Sequence, residues 1–246
     1  MRWKLPGIAL GAYALGLIVM APATLIDARL QRASEGRLRL AEAQGTLWSG
    51  SGQLEIRDAG RRNGIAKSIA WRVLPATLLR GHLVCEIELD RAARHFPVTL
   101  SLSRVRLVNA DINVPAAALG LALPKLAPLG LSGEMWIHVA DVSAGRGDVR
   151  GEVTLQWRAA GSAHSPVSPL GDYELRVAGE GPAVRATLHT LQGPLQLDGQ
   201  GSWANGRTPV FIATARVPPE FRQRLAPFLR LFAVERGDGS FELQLK

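Results

Sequence analysis

Five histidines, one cysteine and twenty-one acidic residues are the groups in this 246-residue chain with which chemistry could begin. His82, His95, His138, His164 and His189 are isolated from one another. None has a second histidine or a carboxylate at metal-ligand spacing within one element, so local spacing builds no metal site. There is no nucleophile elbow and no phosphate-cradling loop. Gly145-x-Gly147 followed by Gly151 has the wrong spacing for a dinucleotide turn and reads as a hairpin turn. Asp27, Asp58 and Asp90 fall at expected element ends, where Asp serves as a turn or cap residue. Glu134, Glu152 and Glu174 each alternate with apolar neighbours, which places them on a wet strand face. Cys85, in Leu83-Val84-Cys85-Glu86-Ile87, reads as a small buried hydrophobe, and a lone cysteine closes no intrachain disulfide. The expectation is a protein with no catalytic residue, no metal and no cofactor.

The elements that carry these residues are mostly strands. Val149, Gly151, Val153, Leu155 and Trp157 alternate with Arg150, Glu152, Thr154, Gln156 and Arg158. The same period of two runs through Tyr173–Val177, Val184–Leu188 and Phe241–Leu245. Turn signals separate the runs at Gly50-Ser51-Gly52, Ala144–Gly147, Gly179–Pro182 and Asn205-Gly206. Strand, short turn, strand means antiparallel hairpins. Helical pieces are few: a short one opening at Pro115–Leu119, and a longer one over Pro219–Phe232 interrupted by Pro227. The predicted fold is mainly β, an antiparallel sheet forming a curved sheet, a flattened barrel or a sandwich. The formal charge of +8 is spread along wet strand faces, and no basic helix or basic-aromatic motif points to nucleic acid.

The first 26 residues differ from the rest. Leu5 to Ile26 is 22 residues without a charge, and at 1.5 Å per residue it spans ~33 Å, enough for a bilayer core. The predicted organisation is a cytoplasmic tail at 1–4, a membrane helix at 5–26 and a periplasmic β-rich domain at 27–246. Leu5, Leu10, Leu15, Leu17, Ile18, Leu25 and Ile26 are the expected anchor residues. Ala21-Pro22-Ala23 has the form of a signal-peptidase site, but the apolar run continues past it, which favours a retained anchor. Gly7 and Gly11 form a G-x-x-x-G that offers a face for helix pairing.

Two similar halves, about 40–130 and 131–246, are suggested by repeated pairs in the same order. Gly45–Trp48 resembles Gly133–Trp136, Trp71-Arg72 recurs as Trp157-Arg158, and Val114-Pro115 recurs as Val217-Pro218. Trp48 and Trp136 are candidate partner contacts. The competing reading is packing under the sheet, favoured because Trp157 shares the apolar face of its own strand.

Gly45-Thr46-Leu47-Trp48-Ser49-Gly50 resembles the type II secretion system protein N family. The likeness continues through Trp71–Pro75, Leu78–Gly81, Ser168–Tyr173 and Leu191–Gly199, and ends near Gly237–Gly239. The resemblance implies a non-catalytic inner-membrane scaffold subunit of the machine that moves folded proteins from the periplasm across the outer membrane. It implies inner-membrane platform subunits as partners, with the outer-membrane secretin as a further one, and it carries over no catalytic residue. A different class of function stays open beside it. A long antiparallel sheet with one apolar face can form a groove for lipid binding or transfer, as in AsmA-like envelope proteins.

Overall fold

A computed structural model describes residues 13, 16–17, 19–57, 64–90, 95–122, 126–204, 210–231, 233–237 and 239–245. The chain divides into two compact units, Met1–Leu100 and Ser101–Lys246. In both, strands pair antiparallel in nearly sequential order and the sheet is open. Neither unit closes into a barrel or folds a second sheet over the first, so the barrel and sandwich alternatives do not hold. The reason is visible in the connections. Strand after strand pairs antiparallel with its chain neighbour, which extends a sheet sideways.

The first unit carries helix α1 (Thr24–Ala33) and strands β1 (Leu38–Gly45), β2 (Ser49–Arg57), β3 (Gly64–Leu74), β4 (His82–Leu89) and β5 (Phe96–Ser101), in that order. A 3-10 turn at Pro75–Arg80 joins β3 to β4. α1 lies against β1 and is tied there by two side chains. Asp27 accepts the Leu40 backbone N–H at 2.8 Å and the Gln31 amide at 2.7 Å. The Ser34 hydroxyl accepts the Leu38 N–H at 2.9 Å and donates to the Leu30 carbonyl at 2.7 Å. Asp27 thus stands in the first turn of α1, where it bonds β1 instead of capping the helix, and the edge of the sheet is covered instead of offered to other strands. Ala23, Leu40 and Trp71 form the core, with Ile26, Leu30, Ile69, Val73 and Cys85 packed on it.

The apolar N-terminal run does not continue as one helix to Ile26. Residues 19 and 20 end a helical stretch, Pro22 pairs in a bridge with Thr46, and α1 starts afresh at Thr24. Pro22 has no N–H to continue the helical ladder. The flanking groups bond sideways instead: Ala23 N–H to the Gly45 carbonyl at 3.2 Å, and Leu47 N–H to the Ala21 carbonyl at 2.8 Å. Among the described residues no helix is long and apolar enough to cross a membrane. Leu5, Gly7, Leu10, Gly11, Leu15 and Ile18 lie outside the described residues.

The second unit begins with β6 (Arg104–Pro115), α2 (Ala117–Ala122), β7 (Leu131–Gly145), β8 (Asp148–Ser162), β9 (Gly171–Gly181), β10 (Ala183–Gln192), β11 (Gln196–Ala204) and β12 (Val210–Arg216). Helix α3 (Pro219–Leu229), β13 (Val234–Glu235) and β14 (Phe241–Leu245) complete it. β14 pairs with β12 and the two-residue β13 is outermost. β7 and β8 are 15 residues each and meet at a two-residue turn, Arg146-Gly147, flanked by the Gly145↔Asp148 pair. α3 opens with Pro219 at its first turn, as expected of a residue that has no N–H to leave unpaired. It passes Pro227 and stops at Leu229; Phe232, the predicted last residue, lies outside the described residues. Leu225, Phe228 and Leu229 are buried against Val167, Leu170, Leu195, Ala215 and Phe241.

The turn expected at Gly50-Ser51-Gly52 is instead part of β2. The glycines are there for closeness. A Cβ on Gly50 would stand 2.6 Å from the Trp71 ring, and one on Gly52 2.9 Å from the Leu40 side chain. The reversal between β1 and β2 is made by Thr46–Trp48, where the Thr46 hydroxyl accepts the N–H groups of Trp48 and Ser49, both at 3.2 Å.

Candidate functional site

Pairing the strands gives some histidines a carboxylate that spacing along the chain did not. His95 lies 3.5 Å from Glu88, His138 2.6 Å from Asp111 and His189 3.5 Å from Glu174. His82 and His164 meet backbone carbonyls, those of Arg80 and Pro128. These remain pairs: among the described residues no three His, Cys, Asp or Glu side chains gather to hold a metal ion.

The wet face of the second unit is a ladder of cross-strand pairs. Arg106 Nε donates to Asp141 at 2.8 Å, and Arg104 bonds Asp148. Glu174, buried although it lies on this face, accepts the Gln156 amide at 2.9 Å and Arg176 Nε at 2.7 Å. The Gln156 amide, then Arg176 and His189, hold its carboxyl below the usual range, while burial pulls the other way. Such pairs fix register between strands and carry no reactive group.

Trp136 is on this same face, 47% exposed, with the Arg158 guanidinium 5.9 Å from its ring centre. The core role favoured for it fails because its neighbours Met135 and Val139 take the buried side of β7. Trp48 lies in the β1–β2 turn, half-buried, so the two tryptophans do not occupy matching positions. The buried tryptophan of the first unit is Trp71, whose indole N–H donates to the Thr46 carbonyl at 3.3 Å.

The motifs at 168–173 and 191–199 meet in space. Leu195 N–H donates to the Leu170 carbonyl at 3.0 Å, and the buried Tyr173 hydroxyl donates to the Leu195 carbonyl at 2.9 Å. Gln192 bonds Asp172 at 2.6 Å. Gly193 has φ +128°, and a Cβ there would stand 2.8 Å from the Leu170 carbonyl oxygen. Leu170 and Leu195 then face α3 in the core. Both groups of motif residues are structural knots: this one seats α3, and Gly45–Gly50 receives the incoming N-terminal segment.

The feature not anticipated in its particulars is an apolar groove of about 520 Å³ in the first unit. Ile26 and Leu30 of α1 form one wall, β2–β4 supply residues such as Leu54, Val73 and Ile87, and Leu47, Trp48 and Leu78 also line it. Every one of the fourteen lining residues is apolar. Cys85 is among them, its thiol pushed up by burial and by Glu86 beside it. Leu25 is half exposed on the same helix, whereas Ile26, grouped with it as an anchor residue, turns inward to the core.

The described residues thus present an open antiparallel sheet, with an apolar groove on one unit and a charged ladder on the other. The type II secretion system (T2SS), protein N family matches residues 36–244. The chain belongs to that family, and is thereby a structural component of the type II secretion system, a membrane-associated machinery whose components interact with one another. No curated protein and no solved structure is similar enough to this chain to add a nearer relative.

Proposed function

We propose that this chain is a non-catalytic scaffold subunit of the secretion machine. It is held at the bacterial inner membrane by its N-terminal apolar run, with residues 27–246 in the periplasm and platform subunits as its partners. The family match over 36–244 carries this reading. Two features support it. The 15-residue strands β7 and β8 present a long, ion-paired face from which only one large aromatic, Trp136, protrudes beside Arg158. Exposed aromatics flanked by arginine are the side chains that most often anchor protein contacts. Tyr13, Leu17, Val19 and Met20 are all well exposed, as residues facing lipid would be. Gly7 and Gly11 then serve helix pairing in the membrane.

A division into two halves is also part of this reading. Each of the stretches 40–130 and 131–246 runs through six strands and then a helix introduced by Val-Pro, at Val114-Pro115 and Val217-Pro218.

The test is affinity capture of full-length protein from native membranes, wild type beside Trp136→Ala. Platform subunits are expected with the wild type, and a weakening of more than ~1 kcal/mol, roughly fivefold in affinity, with the variant. Capture of no secretion subunit by the wild type would overturn the scaffold reading. Equal capture by the variant would remove Trp136 from the contact surface.

A further inference from the structure

We propose that the apolar groove of the first unit holds one acyl chain of a membrane phospholipid, with its phosphate against Arg29 of α1. Three observations converge on that occupant. First, the groove is chemically uniform. Its fourteen lining residues are apolar, and the indole N–H of Trp71 is already bonded to Thr46. Sites for polar small molecules fall in the same range, ~300–1,000 Å³, but place a few polar groups to orient the ligand. A groove with none recognises hydrocarbon and little else.

Second, its edge is where the uncharged run meets the domain. Ala21 and Ala23 bond to Leu47 and Gly45 of the β1–β2 turn, and Leu47 and Trp48 of that turn line the groove. With the part of the run before Ala21 at a bilayer, as in the anchor reading on which this point rests, that edge lies at the membrane surface. Leu47 and Leu78 line the groove and are exposed, and Leu79, next to Leu78, is almost fully so.

Third, charge of the right sign stands beside it. Ile26 and Leu30 of α1 face the groove, and at about 100° per residue Arg29 falls roughly 60° from Ile26 and flanks that stripe, while Arg32 falls about 60° further round the helix, away from it. Both are exposed and make no ion pair with a described residue. By contrast Arg104, Arg106, Arg176, Arg230 and Arg236 of the second unit all bond carboxylates. An unpaired guanidinium flanking a hydrocarbon slot matches an anionic amphiphile.

The experiment places the full-length protein in nanodiscs of phosphatidylglycerol bearing a photoreactive group at the end of one acyl chain, and maps the adducts by mass spectrometry. Adducts are expected on β3 and β4, around Val73 and Leu83–Ile87. Val73→Trp fills the groove with an apolar ring, and adduct yield there falls about tenfold, the loss expected when roughly two methylenes give up their burial. Arg29→Glu lowers the yield with phosphatidylglycerol and leaves that with phosphatidylcholine unchanged. Adducts confined to residues 1–20 in the wild type would overturn the proposal without needing any variant. So would an unchanged yield in a Val73→Trp protein of native melting temperature. Loss of the wild-type adducts on adding platform subunits would assign the groove to a partner's apolar segment instead. Carbonate extraction of the source membranes tests the anchor separately, so a failed anchor and an empty groove give different results.

Discussion

Replacing Tyr173 by Phe removes one oxygen from the knot that seats α3, and its effect can be worked from the geometry. Tyr173 is 3% exposed, and its hydroxyl donates to the Leu195 carbonyl at 2.9 Å. The ring stays, with the Trp157 ring centre 6.0 Å away, so no cavity of consequence opens. What remains is a carbonyl in a dry site without that donor, a loss of about 1–3 kcal/mol. For a chain of this size each kcal/mol lowers the melting temperature by ~2–4 °C, so a mid-range loss of ~2 kcal/mol lowers it by ~4–8 °C. The pH dependence gives a second, independent reading. Burial, then the Asp172 charge, pushes the phenol above its ordinary value of 10.0, so the folded state favours the neutral ring. A group raised in this way stabilises fully below its unfolded pKa and loses that contribution as pH rises above it. The wild type should therefore lose stability above about pH 10 relative to the Tyr173→Phe variant, and the gap between them should be constant from pH 6 to 9. Thermal unfolding by circular dichroism from pH 6 to about pH 11 reads both. A melting temperature within 1 °C of wild type, about 0.3–0.5 kcal/mol, would refute the role of the Leu195 carbonyl in holding the knot.

Leu225→Ala empties a fully buried position under α3 and should cost about 2–5 kcal/mol in denaturant unfolding. Gly193→Ala forces a Cβ into a left-handed backbone against the Leu170 carbonyl, and should lower stability by more than ~1 kcal/mol, read from the urea midpoint. Glu174→Gln removes a carboxylate whose pKa is held down by Gln156, Arg176 and His189. The wild type should lose stability as pH falls below about 4.5 and the variant should lose less, a difference seen in acid titration of the fold.

The strands were legible because each carries its own evidence: the alternation in 149–157 places Val153 and Leu155 on one face whatever the rest of the chain does. Trp136 was misplaced by analogy with Trp157, although Met135, Ile137 and Val139 already assigned its strand's buried side. The glycines at 50 and 52 signalled a turn, but their function is to admit Trp71 and Leu40, which come from other strands. The His–carboxylate pairs depend on register, since His138 meets Asp111 only once β6 and β7 are aligned. The groove was the least legible feature in detail. Its walls come from a helix and several strands, each supplying a few apolar residues that read as ordinary core. Pro22 was the available signal that the apolar run would break where the groove begins.

The strand order has a consequence for how the second unit assembles. From β7 to β12 each strand pairs with the one before it, so the ladder can lengthen by local steps with little search. The core does not share this freedom. α3 is seated against Phe241, which arrives on β14, the strand that returns to pair with β12 past the short β13. Leu225 and Leu229 are therefore dry only after the final strand has docked. A chain stalled short of that step would hold most of its backbone pairing while exposing the apolar face of α3, so commitment to the native state belongs to the last strand rather than to the long central hairpin.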